Sequence, residues 1–149
     1  MKKILASVFM LLILAACSKD QNSFLPYRQV SFYKPLANYN HLTVPGNSIT
    51  FQYYGYAGVI VICINENEYY AYDACCPYEV DKSCVVETDP IKNLSGGGLI
   101  YSSNATAKCK CCGSEFMLFG GGFASKGPAA RPLQQYQVVN ISGRLWVHN

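Results

Sequence analysis

Histidine is nearly absent from this 149-residue sequence: there are two, His41 and His148, beside a single tryptophan. With so few and so placed, no Ser/His/Asp arrangement for nucleophilic catalysis is credible. Charge is scarce as well. Only 14% of residues are Asp, Glu, Lys or Arg, which argues against a disordered chain and against a nucleic-acid partner. The formal net charge of +3 falls to +1 once Lys2 and Lys3 leave with the leader described below, so no polyanion is needed to balance it. No stretch of length carries a helical period, and no internal repeat is visible. Gly120-Gly121-Gly122 is followed by neither Lys-Ser/Thr nor a helical pattern, so it reads as a β-bend rather than a phosphate cradle.

What is present begins with an address. Lys2 and Lys3 form a basic start, Ile4 to Leu14 a short apolar core, and Leu14-Ala15-Ala16 a run toward small residues. This is the pattern of an export signal, too short for a stable membrane span. Leu14-Ala15-Ala16-Cys17 resembles the lipobox of bacterial lipoproteins. The resemblance implies a signal peptide over 1–16, cleavage before Cys17 and lipidation of its sulfur. Residues 17–27 then form the lipidated cysteine and a polar tether, leaving one domain over 28–149. Two or three acyl chains on one residue would hold it on a membrane, where a single chain binds only marginally. Ser18 favours the outer membrane of a bacterial cell envelope. Export also implies a compartment in which disulfides persist.

The rest reads as strands. Val30 and Phe32 alternate with polar residues over 28–34, and Ile49, Phe51 and Tyr53 alternate again after Pro45-Gly46-Asn47. Val59 to Ile64 is a β-branched, nearly continuous apolar run expected to be a buried strand, with Tyr69 to Tyr72 returning after Asn65-Glu66-Asn67. Val85-Val86 and Leu99 to Tyr101 are further short strands. Tyr136 to Ile141 and Arg144 to Val147 flank the hairpin signal Ser142-Gly143. The expected class is all-β, an antiparallel sandwich or barrel. Trp146 and Cys63 are expected in its core.

Eight cysteines punctuate this pattern. Apart from Cys17 and Cys63 they fall in two loops: Cys75, Cys76 and Cys84, then Cys109, Cys111 and Cys112. The second loop, Cys109-Lys110-Cys111-Cys112-Gly113-Ser114, leads to a glycine-rich bend, Gly127-Pro128-Ala129 and Arg131-Pro132-Leu133. This order resembles the second cluster-binding loop of Rieske iron–sulfur domains, and Cys76-Pro77-Tyr78 resembles the first. The likeness covers roughly Val30 to Val147, with the segment from Cys84 to Lys108 longer than usual and read as an inserted hairpin or loop. It implies a Rieske-like multi-sheet fold with two cysteine loops face to face. Cys76 and Cys109 match the family's cysteine ligands, while Tyr78 and Cys112 stand where its histidines would be. It also implies a disulfide between the loops, with Cys111 matching one half and Cys84 available for the other.

Three arrangements of the six loop thiols follow. One is a [2Fe–2S] cluster on Cys76, Cys109, Cys112 and a fourth ligand from Cys84, Cys75 or Tyr78, with Cys84 placed first; four thiolates suffice for such a cluster. The second is a clusterless fold closed by up to three disulfides. The third is a tetrathiolate zinc site, which matches no familiar spacing. The expected function is membrane-anchored electron transfer with cysteine-rich ligation, not catalysis, with a redox or envelope protein as partner. The alternative is a clusterless, disulfide-stabilised structural or interaction module of the envelope.

Overall fold

The computed structural model describes residues 25–88, 90–91, 100–101 and 105–149. The leader, Cys17 and most of the tether lie outside the described residues, as does the centre of the inserted segment. The regular structure described is almost entirely antiparallel β-strand, as the alternation implied. Strand β1 spans Ser31–Pro35, β2 Ser48–Phe51, β3 Val59–Asn65 and β4 Glu68–Asp73. Two short 3-10 turns, Leu36–Asn38 and Asn40–Thr43, join β1 to β2. Next come β5 (Val86–Thr88), β6 (Pro90–Ile91), β7 (Ile100–Tyr101) and β8 (Thr106–Cys109). The chain closes with β9 (Glu115–Met117), β10 (Phe123–Lys126), β11 (Gln135–Ile141) and β12 (Arg144–His148). Among the described residues no helix is long and apolar enough to cross a membrane.

Three sheets result. The largest has six strands in the order β1-β12-β11-β4-β3-β2, the second four in the order β10-β9-β8-β5, and β6 pairs with β7 alone. That small pair lies in the segment between the cysteine loops, where an inserted hairpin or loop is expected.

Strand β3 explains how the sheets stack. Its run VIVICIN is apolar without alternation because both of its faces are covered. Ile60 and Ile62 point into one core with Tyr72, Val86, Phe116, Leu118 and Leu133. Val59, Val61 and Cys63 point the opposite way, into a second core with Phe32, Leu42, Tyr136, Leu145 and Val147. Each fully buried Val or Ile contributes about 1.5–3 kcal/mol relative to exposure. The sheet is therefore a partition. One side closes the end built from β1, β11 and β12; the other supports the four-stranded sheet and both cysteine loops.

Two expectations are corrected. The second strand ends at Phe51, and Tyr53 stands 95% exposed in the following turn. The chain bends there over the carboxylate of Asp73, and Gly55 at φ +70° is required: a Cβ would fall 2.5 Å from Oδ2 of that aspartate. Trp146 is not in the core. The buried members of β12 are Leu145 and Val147, so strand alternation turns Trp146 outward, where it stacks between Tyr33 and His148. Cys63 is buried as expected, its Sγ 3.1 Å from the carbonyl oxygen of Asn65.

Candidate metal centre between two cysteine loops

The first loop leaves β4 through Asp73, whose buried carboxylate fixes its course. Oδ1 accepts the N–H of Cys75 at 2.9 Å and of Ala57 at 3.2 Å. Oδ2 accepts the N–H of Tyr56 at 2.6 Å and the hydroxyl of Tyr136 at 2.8 Å. Four donors offset the cost of burying this side chain. They also fasten the loop to the 52–58 bend and to β11. The chain then turns back through Asp81, which carries an N–H to Glu79 O bond at 2.7 Å, so that Cys76 N–H meets Cys84 O at 3.0 Å. Sequence reading missed Asp73, which carries no local signal.

The second loop is a tight turn between β8 and β9. Cys109 N–H donates to Ser114 O at 2.8 Å and Gly113 N–H to Cys109 O at 2.9 Å. Its tail locks it. Ala129 N–H donates to Ser114 Oγ at 3.1 Å, and Gly127 lies so close that a Cβ there would sit 2.5 Å from Ser114 Cα. Only glycine fits. The Gly-Pro-Ala segment thus holds Ser114, and Ser114 holds the turn.

Pairing of β5 with β8, Val86 opposite Cys109, brings the loops together. At the rim Cys84 and Cys111 form a disulfide with their Cα atoms 5.4 Å apart, within the usual span. This is the bridge the family likeness implied. It also corrects the ligand set, because Cys84, placed first as fourth ligand, has its sulfur committed to Cys111.

Inward of the bridge lie Cys76, Cys109 and Cys112, unbridged, with all three sulfurs within 4.8 Å of one another. Cys76 and Cys109 are fully buried and Cys112 is half-buried. The Cys76 and Cys112 sulfurs are 3.6 Å apart, and Cys112 Sγ is 3.1 Å from Ser114 Oγ. The thiols differ in character. Burial pushes Cys76 up to about 12, against the pull of N–H bonds from Glu79 and Tyr78 to its sulfur. At Cys112 burial also opposes ionisation, but the hydroxyl and N–H of Ser114, then the thiols of Cys109 and Cys76, outweigh it and hold the pKa below the ordinary thiol value. Cys75 is displaced from this group. Its sulfur faces the carbonyls of Cys76 and Asp81, and burial, then the charge of Asp73, push it up to about 12. Tyr78 packs half-buried against the core and is not in the group. Neither histidine joins a metal-capable set among the described residues.

No protein-family model matches the sequence, and no curated protein matches it. Solved structures do. A chain in the complex of reduced oxygenase and oxidised ferredoxin of carbazole 1,9a-dioxygenase superposes with a TM-score of 0.51 at 20% identity, over 81% of this chain and 94% of that one. The fold is that of a Rieske-like domain. The ferredoxin of carbazole 1,9a-dioxygenase from Nocardioides aromaticivorans aligns at a TM-score of 0.49 and 16% identity, over 82% of this chain and 98% of that one.

The donor chemistry of this Rieske-like site fits a thiophilic metal centre. Three thiols converge, and a buried carboxylate oxygen, Oε2 of Glu79, has no hydrogen-bond partner.

Proposed function

We propose that this chain is a one-electron carrier: a Rieske-like domain holding an iron–sulfur cluster through Cys76, Cys109 and Cys112, anchored to a bacterial membrane through Cys17. The observation that carries the reading is the convergence of three unbridged thiols, from two loops, inside a bridged rim. A bound [2Fe–2S] cluster supplies one-electron exchange.

The residues of the chain have separable tasks. Cys76 and Cys109 offer buried sulfurs held by the sheets on either side, and Cys112 offers one at the surface, where a partner can approach. The backbone N–H groups of Tyr78 and Glu79 favour the ionised form of the Cys76 sulfur, and Ser114 lies against Cys112 Sγ. Such groups beside sulfur stabilise extra negative charge and help set a potential. Asp73 and the disulfide hold the loops apposed, so accepting an electron requires little movement. The similar chain belongs to a complex of an oxygenase and a ferredoxin, and a redox protein is the partner proposed here. Leu14-Ala15-Ala16-Cys17 supports the envelope location, with the outer membrane favoured by Ser18. Mass analysis of the mature N-terminus tests the anchor: diacylated Cys17 is expected, and an unmodified Met1 would refute it.

The clusterless alternative expected up to three bridges among six loop thiols; the structure has one, and four of those thiols remain unbridged. Voltammetry of the cluster-loaded domain tests the carrier directly. A reversible wave is expected toward roughly −400 mV, the region of anionic ligation, rather than at ordinary Rieske values. Because no imidazole ligates, it should not move between about pH 5 and 8, the range in which histidine titrates. An iron-loaded protein with no reversible wave would contradict the proposal.

A further inference from the structure

Three thiols leave the centre one ligand short, since a [2Fe–2S] cluster takes four from the protein. The sequence offered Cys84, Cys75 and Tyr78, and the structure engages the first two elsewhere. Cys84 is bonded to Cys111, and Cys75 Sγ faces two backbone carbonyls at 3.6 and 3.7 Å. Tyr78 is outside the group.

Glu79 is differently placed. It lies three residues after Cys76, in a turn where its carbonyl accepts the N–H of Asp81 at 2.7 Å. That turn sends the side chain inward. One carboxylate oxygen lies within 4.8 Å of Cys109 Sγ and Cys111 Sγ. Oε2 is buried with no hydrogen-bond partner, and the ion pairs among the described residues go to Glu87 and Glu115 instead. A buried carboxylate oxygen with neither donor nor cation is costly. The sulfur of Cys111 is closed by its bridge, so Cys109 is the remaining thiol beside it.

We propose that Glu79 is the fourth ligand, an oxygen donor that completes the centre with Cys76, Cys109 and Cys112. This rests on the cluster reading and deepens it. Iron accepts a carboxylate oxygen among its ligands. The four donors do not all fall within one 4.8 Å span: Glu79 shares Cys109 with the trio and stands apart from the full set. That spread suits two metal ions better than one. The resulting set of three sulfurs and one oxygen makes the two irons chemically unequal.

The test compares the wild-type chain, Glu79→Gln and Glu79→Cys. Each is loaded identically under anaerobic conditions, then followed by iron content, visible absorption and loss of iron to a chelator. Glu79→Gln preserves size, and the integrity of its fold is read from the intact Cys84–Cys111 bridge and an unchanged apo-protein melting midpoint. It should hold iron at least about ten-fold less tightly, a loss that even a change outside the ligand shell can cause. Glu79→Cys should restore retention and shift the absorption bands, as an all-thiolate set replaces a mixed one. Iron-bearing variants with wild-type spectra and retention would overturn the ligand assignment and leave the cluster standing. A wild-type chain that takes up no iron would overturn both.

Discussion

Five of the six loop thiols divide into two arrangements. Cys84 and Cys111 are joined at the rim, whereas Cys76, Cys109 and Cys112 meet a few ångströms inward and stay unbridged. Residues adjacent in sequence, Cys111 and Cys112, belong to different arrangements because the turn sends one side chain outward and the other toward Ser114. A bridged rim holds two loops together without any metal, and so leaves the inner thiols available as donors. Clamp and donor set share loops but not tasks.

Breaking the clamp alone should have the largest effect on stability. The bridged cysteines are 27 positions apart, and closing a loop of that length contributes about 3.5 kcal/mol on a chain-entropy estimate. The double variant Cys84→Ser/Cys111→Ser should therefore lose about that much in urea unfolding of the apo-protein. An unchanged midpoint would mean that the sheets alone hold the loops, and the division of tasks would fail.

A smaller effect sharpens the comparison from the opposite side, through the hydrogen bonds of Asp73 that position the first loop. Tyr136→Phe removes one of four donors from a buried carboxylate and should cost about 1–3 kcal/mol. It also bears on pH. Burial, then the negative charge of Asp73, raises the pKa of Tyr136 well above the ordinary tyrosine value; burial, then Tyr70, does the same for Tyr72. Both stay protonated in the folded chain while an unfolded tyrosine ionises near pH ~10. Their stabilisation is complete below that pH and is lost above it, by up to about 1.4 kcal/mol per pH unit for each group. Alkaline unfolding of Tyr136→Phe should be correspondingly shallower than wild type; equal slopes would contradict the coupling of Tyr136 to Asp73.

Much of the fold was legible. The continuous run from Val59 to Ile64 has no polar face because β3 divides two cores, and the Ser142-Gly143 hairpin signal lies where β11 turns into β12. Cys84 was read in two ways, as ligand and as bridge. Only the pairing of β5 with β8 decides between them, by bringing its sulfur to Cys111. Trp146 was misplaced because its strand has one apolar face, and composition does not say which residues occupy it. Glu79 gave no signal: a carboxylate beyond Cys-Pro-Tyr looks like any solvated side chain until the loop curls back toward Cys109. Asp73 was silent for the same reason, since its four donors come from three separate parts of the chain.

Iron and acid-labile sulfide per chain, measured with a free-thiol count on the same anaerobically purified sample, test the division of the thiols most directly. About two irons and two sulfides are expected, with the Cys84–Cys111 bridge intact and the metal lost in Cys109→Ser. A chain with no iron and with Cys76 bridged to Cys112 would contradict it, as would zinc that persists after cluster loading.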